Sequence, residues 1–416
     1  MQFIKLYLWL TAVLLFITGC QPTAPAPSTL PTAAVAAIVP TGVPTAEPLA
    51  TYTITPSPLP VQTAVSPPTS TPSPTRTAAF IPTNTAVPPT DTPSPTPTAT
   101  LEPVVGTPTL QVKSFDSYAY EEIMPIAAYP VPPANNGWGM HWIPSTGQST
   151  EAVDKFVGEL VKMHIKWVVF LNGPQDMTSN DYLVERLVAN GIMPVMRVYQ
   201  SAIEPYGDLT PMVRHYRAKG VYYFQLYNEP NANVENRQGF ANPNQYATAW
   251  SASARQVISA GGLPGIGSFS PGGEYDHFEF LRRTLEIMEY NGDTHLLNHA
   301  WFSAHNYHGT REFDDPGGFL LFRSYNQIIS DHIGRSLPII GTEAGSYAGT
   351  DEAEIPFIRY QYDYMKYDHE PYFLGFSWWI LANRAGGHHD DAWEWQALFK
   401  EGGYVHPAVT QYFYGG

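Results

Sequence analysis

The sequence predicts an α/β protein, a single (β/α)8 (TIM) barrel preceded by a disordered Pro/Thr-rich segment. Three observations lead there. Beyond about residue 110, short apolar runs alternate with amphipathic stretches eight times in roughly 280 residues, the rhythm of strand–helix units. The runs are continuous rather than alternating, as parallel strands covered on both faces must be. Of the 40 prolines in this 416-residue chain, 22 fall between Gln21 and Leu110, which separates a stretch that cannot build a core from one that can.

Residues 1–19 read as a signal peptide. Lys5 precedes an apolar run from Leu6 to Ile17, about a dozen residues and too short to span roughly 30 Å of hydrocarbon. The run ends Ile17-Thr18-Gly19-Cys20, which resembles the bacterial lipoprotein box. That resemblance implies cleavage before Cys20 and acylation of its thiol, each buried CH2 contributing about 0.8 kcal/mol to anchoring. Residues 20–110 are then the lipidated Cys plus a linker of Pro, Thr, Ala, Ser and Val, in which only Glu47, Arg76, Asp91 and Glu102 are charged. Proline withholds backbone donors and the scattered apolar residues cannot offset chain entropy, so a tether is expected, on the order of 280 Å at full stretch. Its Ser/Thr-Pro composition also suits O-glycosylation. The expected location is the bacterial cell surface, lipid-anchored to the outer face of the membrane.

Residues 111–416 are the predicted folded domain, with a transition region up to about Asn136. Gly137–Trp142 is the first strand and Glu151–His164 the first helix, in which Val153, Phe156, Val157, Leu160, Val161 and His164 recur at three- and four-residue steps. Ile165–Leu171 is followed by Asp181–Asn190, and Met193–Tyr199 by Thr210–Ala218. Gly191 and Gly220 stand just past these two helices, where a left-handed cap wants glycine. Tyr223–Asn228 precedes Asn244–Ala260, Gly265–Phe269 precedes Tyr275–Asn291, and Ala300–Asn306 precedes Phe319–Ile333. Pro338–Thr342 precedes Glu354–Lys366, and Phe373–Trp379 precedes a weaker helix near Pro407–Phe413. A doubly wound sheet is the alternative, but it needs a Gly-rich phosphate loop after the first strand, and Gly137-Trp138-Gly139-Met140 is not one.

Charge and cysteine content narrow the function. Against 22 Lys and Arg stand 37 Asp and Glu, a formal net charge of −15, with no basic stripe for nucleic acid. The one Cys excludes a disulfide scaffold and a thiolate zinc cluster. A monomer without metal or other cofactor is expected.

Catalytic residues of such barrels gather at the C-terminal strand ends. Strand four closes with Tyr227-Asn228-Glu229-Pro230-Asn231, strand six with Ala304-His305-Asn306-Tyr307-His308, strand seven with Gly341-Thr342-Glu343-Ala344-Gly345, and strand eight with Ser377-Trp378-Trp379-Ile380-Leu381-Ala382-Asn383. Glu229 and Glu343 therefore face each other across the mouth. Two carboxylates about 5–5.5 Å apart are what retaining glycoside hydrolysis uses. No third acidic residue stands in an obvious water-activating place.

In these features the domain resembles the clan A retaining glycoside hydrolases, such as families 5 and 39. The features are Asn228-Glu229-Pro230, Glu343, His305-x-Tyr307, and Trp379 followed by Leu381 and Asn383. The resemblance implies that Glu229 is the general acid/base and Glu343 the nucleophile. It further implies that Asn228 binds the sugar 2-hydroxyl, Tyr307 holds the Glu343 carboxylate and Trp379 forms a platform under the sugar. It covers roughly residues 137–400, at strand ends only. Where family 5 carries Arg after strand two, this chain has Phe170-Leu171-Asn172-Gly173, and strand three offers Arg197 instead.

Other readings of these residues remain open from sequence. Arg197 can pair with Glu229, with Glu343 or with a structural Asp. His305 also suits a core histidine, and Tyr307 a packing residue of the rim. His388-His389-Asp390-Asp391 follows Gly386-Gly387 and suits a substrate loop better than a metal site. Aromatics make up 13% of the chain, and their faces stack on sugar C–H faces. Trp138, His141, Trp142, Tyr199, Trp301, Trp378, Trp393 and Trp395 are expected at or beyond strand ends, about half of them in the cleft, with Trp138 and His141 among the substrate contacts. The expected partner is a poly- or oligosaccharide cleaved at β-glycosidic bonds. The alternative is a non-catalytic glycan-binding surface lipoprotein on the same scaffold. A transporter's solute-binding lipoprotein is disfavoured because no two-lobe repeat is visible.

Overall fold

A computed structural model describes residues 114–383 and 391–415. The signal peptide, Cys20 and the Pro/Thr-rich segment lie outside the described residues, as do His388, His389 and Asp390. No helix among the described residues is long and apolar enough to cross a membrane.

Strands β1 (Trp138–His141), β2 (Trp167–Asn172), β3 (Met193–Val198), β4 (Tyr223–Leu226), β5 (Leu263–Gly267), β6 (Trp301–His305), β7 (Ile339–Ala344) and β8 (Phe373–Trp378) close into a parallel barrel in sequence order. β1 pairs with β8, so the doubly wound alternative is excluded. Outside run α1 (Thr150–Lys162), α2 (Asp181–Ala189), α3 (Thr210–Ala218), α4 (Pro243–Ser259), α5 (His277–Tyr290), α6 (Phe322–Ile333), α7 (Asp351–Tyr367) and α8 (Pro407–Gln411). Helix α1 shows why they form. Ser149 caps it by accepting the Ala152 N–H, and the stripe of Val153, Phe156, Val157 and Leu160 is buried against the barrel.

Boundaries move where the backbone turns left-handed. β4 stops two residues before the expected Asn228 because Tyr227 adopts φ 64°, and β5 stops at Gly267 because Ser268 adopts φ 57°. Phe319–Leu321 winds as a 3-10 turn ahead of α6.

Side chains two apart on a strand share a face, so each strand lays a ladder up the barrel interior. On β6 it reads Trp301, Ser303, His305, and on β3 Met193, Val195, Arg197. Trp167, Tyr223 and Trp301 make an aromatic floor, with Tyr223 meeting each indole edge-on at 5.7 Å. Glycine makes room for it. A Cβ on Gly265 would come within 2.5 Å of the Trp301 ring, and one on Gly375 within 2.8 Å of the Trp167 ring. Above the floor Ser303 and Thr342 share a hydroxyl hydrogen bond of 2.7 Å.

The transition region closes the barrel from beneath. Met124, Ala128 and Tyr129 pack on the floor. The Tyr129 hydroxyl donates to the Ala300 carbonyl at 2.8 Å, and the Tyr223 hydroxyl donates to Pro130 at 2.6 Å. With its floor plugged by aromatics, the barrel is open for chemistry only at the other end.

Candidate active site

Glu229 is delivered by a turn rather than by the strand itself. Tyr227 and Glu229 both take positive φ, 64° and 39°, which costs a non-glycine residue about 1–3 kcal/mol. Three hydrogen bonds hold the turn against that cost. The Tyr227 N–H donates to the Tyr206 hydroxyl at 2.7 Å, the Glu229 N–H to Ser268 O at 2.9 Å, and the Ala232 N–H to Glu229 O at 2.8 Å. Glu343 sits near the end of β7, where pairing with β6 shifts register between Ala304 and His305 and sets His305 opposite Glu343. Such irregularities re-aim side chains at barrel rims.

A carboxylate oxygen of Glu229, a ring nitrogen of His305 and a carboxylate oxygen of Glu343 lie within 4.8 Å of one another. His305 stands between the acids, Nδ1 3.2 Å from Glu229 Oε1 and Nε2 3.6 Å from Glu343 Oε1. Arg197 donates from Nη1 to Glu343 Oε1, which settles its partner, and the Tyr307 hydroxyl donates to Glu343 Oε2 at 2.8 Å. Burial pushes the Glu343 carboxyl up, but His305, Arg197 and the Tyr307 hydrogen bond outweigh it and hold the group below the usual carboxylate range. Tyr307 stays a donor, because burial and the Glu343 charge raise its hydroxyl well above the ordinary value.

His141 and Trp379 flank the acids, with rings 4.3 Å apart. Burial, and secondarily Arg197, push His141 down to about 3 against the pull of Glu343, so the ring is neutral near pH 7. Its Nδ1 is 2.9 Å from the Trp142 carbonyl and must carry the proton there, which leaves Nε2 a buried acceptor without a partner among the described residues. The Trp379 Nε1–H is buried and also has no partner among the described residues, and the half-buried Trp393 meets that ring at 5.4 Å. Tyr347 stacks on Tyr307 at 6.0 Å, and the exposed Trp395 lies 6.2 Å beyond it. Tyr199, half-buried after β3, completes this part of the mouth.

Four of the eight singled-out aromatics are core instead. Trp138 is not a substrate contact: it opens β1, far from the strand's C-terminal end. Its indole donates to Tyr362 O at 2.9 Å and it packs on Tyr362, Tyr412 and Phe413. Trp301 belongs to the floor, and Trp142 and Trp378 are buried in the main core. A strand's name does not say which of its ends or faces an indole occupies. A third acid also comes near the pair. Glu235, six residues past Glu229, accepts the Asn228 Nδ2–H at 3.0 Å. Burial, with a contribution from Glu229, pushes Glu235 up to about 7. Neither Glu235 nor Tyr347 carries a sequence signal, since both sit in loops without a motif.

A second acidic and histidine group, Asp351, Glu354 and His406, lies between α7 and α8. Its Asp351 is already paired. Lys400 Nζ donates to both Asp351 oxygens at 2.7 and 2.8 Å. The Ala408 N–H donates to His406 Nδ1 at 3.0 Å, so the neutral ring bears its proton on Nε2, the nitrogen facing the carboxylates. In the mouth, Arg197 and Tyr307 likewise engage both oxygens of Glu343, the ones a metal would need.

No family model and no curated protein matches the chain. Its structural neighbours are glycoside hydrolases. A family 39 glycoside hydrolase from the gut symbiont Bacteroides cellulosilyticus WH2 shares 13% identity over 66% of this chain and 62% of that one, with a TM-score of 0.47. This chain therefore spans under two thirds of that enzyme's length. An endo-β-1,4-mannanase from Thermotoga petrophila shares 11% identity over 68% and 76%, TM-score 0.43. An endo-β-1,4-glucanase from Xanthomonas axonopodis pv. citri shares 13% over 65% and 95%, TM-score 0.42. At such identities these are likenesses of fold.

Proposed function

We propose that the chain is a retaining glycoside hydrolase that cleaves β-glycosidic bonds of poly- or oligosaccharides, with Glu229 as general acid/base and Glu343 as nucleophile. The observation that carries this reading is the spacing of the two carboxylates. Carboxylate oxygens that come within 4.8 Å of each other suit the retaining arrangement, with its carboxyl groups about 5–5.5 Å apart, better than an inverting pair at roughly 6.5–9.5 Å. Glu229 protonates the leaving oxygen as Glu343 attacks the anomeric carbon, giving a glycosyl ester. Glu229, now ionised, takes a proton from the water that resolves it. The surroundings of Glu343 support its role, because a group held ionised is ready to attack. A protein that only binds glycans has no need to fix one acid this way.

Anomer-resolved NMR of the first products on defined β-oligosaccharides tests the mechanism. Retained configuration is expected. Inverted product would refute the assignment.

Surface anchoring through Cys20 belongs to the same proposal and is supported by the Ile17-Thr18-Gly19-Cys20 sequence. Cys20→Ser should release the enzyme into the medium, whereas an unaltered chain already free there would remove the anchor from the account.

A further inference from the structure

Asn228 directly precedes the proposed acid, and among the described residues its side chain has a single protein partner. Its Nδ2–H donates to Glu235 Oε1 at 3.0 Å, while its Oδ1 is buried with no partner. A side-chain amide held by one anchor is free to rotate once that anchor is removed. The loop that supplies the anchor is itself tied down. The 3-10 turn Asn233–Glu235 follows the Ala232-to-Glu229 backbone bond, and Asn236 Nδ2 donates to Pro230 O at 3.0 Å and Ala232 O at 2.8 Å. The Ile203 N–H donates to Glu235 O at 3.0 Å, pinning the turn to the loop after β3. The chain thus folds back within seven residues to place a carboxylate against the residue before its own acid.

We infer that Glu235 is a positioning residue: its carboxylate fixes the side-chain amide of Asn228, so that Asn228 reads the hydroxyl beside the reacting sugar carbon in one orientation. This rests on the function proposed above. An ionised carboxylate only accepts, so it admits the amide nitrogen and rejects the oxygen, and it selects one of two orientations of similar shape. Contacts to that hydroxyl strengthen in the transition state, so a loosened amide costs rate more than binding. The other groups facing Glu235 are Glu229, Arg197 and Glu343, together with Tyr199. Because Glu235 is raised to about 7, it takes up its proton as the pH falls through neutrality, and the bond loses its charge assistance.

The test compares dinitrophenyl β-glycosides of glucose, mannose and xylose with their 2-deoxy counterparts, on whichever sugar turns over fastest. The readout is the ratio of kcat for the 2-hydroxy and 2-deoxy substrates. Taking it relative to wild type cancels the intrinsic reactivity of the deoxy sugar. Glu235→Ala should lower that ratio about tenfold, the loss of one oriented hydrogen bond, towards the value of Asn228→Ala, with KM changing less. The isosteric Glu235→Gln, whose oxygen still accepts, should recover most of it. The wild-type ratio should fall as pH drops through about 7, and that step should be missing in Glu235→Gln, although Glu229, Arg197, Glu343 and Tyr199 are unchanged there. A wild-type ratio in Glu235→Ala, or in Asn228→Ala, overturns the inference while leaving the glycosidase reading in place. Turnover of none of the five glycosides (glucose and mannose, epimers at C2, share one 2-deoxy counterpart), or turnover that survives Glu343→Ala, overturns the functional reading itself.

Discussion

Glu343→Ala should lose about 10³-fold or more in kcat on every substrate, because no glycosyl ester can form. The variant leaves a vacated space between Arg197 and Tyr307, two donors that had held a carboxylate. Azide is a small anion that suits that space. Added azide should attack the anomeric carbon from the nucleophile's side and give a glycosyl azide of inverted configuration. Truncation also strands a buried guanidinium, and breaking such a pair costs about 3–5 kcal/mol of stability. Glu343→Gln is the control, since it keeps the shape and removes only the nucleophile. A rate near wild type in Glu343→Gln on a natural glycan would mean that this mouth is not catalytic.

Glu229→Ala should fail differently. A dinitrophenolate leaving group hardly needs a proton, so glycosylation should survive with that substrate, whereas unactivated oligosaccharides should lose about 10²–10⁴-fold, the usual worth of general acid–base help. The ester then waits for a water that nothing activates, and a burst of dinitrophenolate should precede slow turnover. Azide, which needs no base, should restore turnover with a retained glycosyl azide. The same azide thus yields opposite stereochemistry in the two variants, an outcome that simple destabilisation cannot imitate. Products the other way round would exchange the roles of Glu229 and Glu343.

The barrel was legible because its signals are periodic. Continuous apolar runs and three- and four-residue steps locate all eight strands and eight helices to within a few residues, and α3 begins and ends at the expected Thr210 and Ala218. Glu229, Glu343, His305 and Tyr307 were legible because the C-terminal ends of strands converge on one mouth in a closed barrel. What sequence could not give was which side chain meets which. Arg197 had three possible partners, and only the inward ladder of β3 brings it to Glu343. Trp138 was misplaced because an indole is equally at home stacked on a sugar or wedged under a helix, and the choice depends on strand direction and facing. Glu235 lay hidden because its effect depends on a loop that folds back on itself, and loop conformation follows from backbone bonds that have no residue pattern.

The fit of Trp301 against Gly265, and of Trp167 against Gly375, has an evolutionary consequence. Neither partner can drift alone. Enlarging the glycine while the indole stays overpacks the floor by about 1–3 kcal/mol, and trimming the indole while the glycine stays opens a void worth about 3–5 kcal/mol. Changed together, the two volumes offset each other, so the double replacement is milder than the sum of the singles. Each pair is therefore inherited as a unit, with a valley on either side of any new combination. Exposed residues of the rim, such as Tyr347 and Trp395, are under no such packing constraint, because they meet solvent on one side and can be replaced one at a time. Divergence of sugar preference in a lineage of this barrel should thus accumulate at the mouth while the floor stays still.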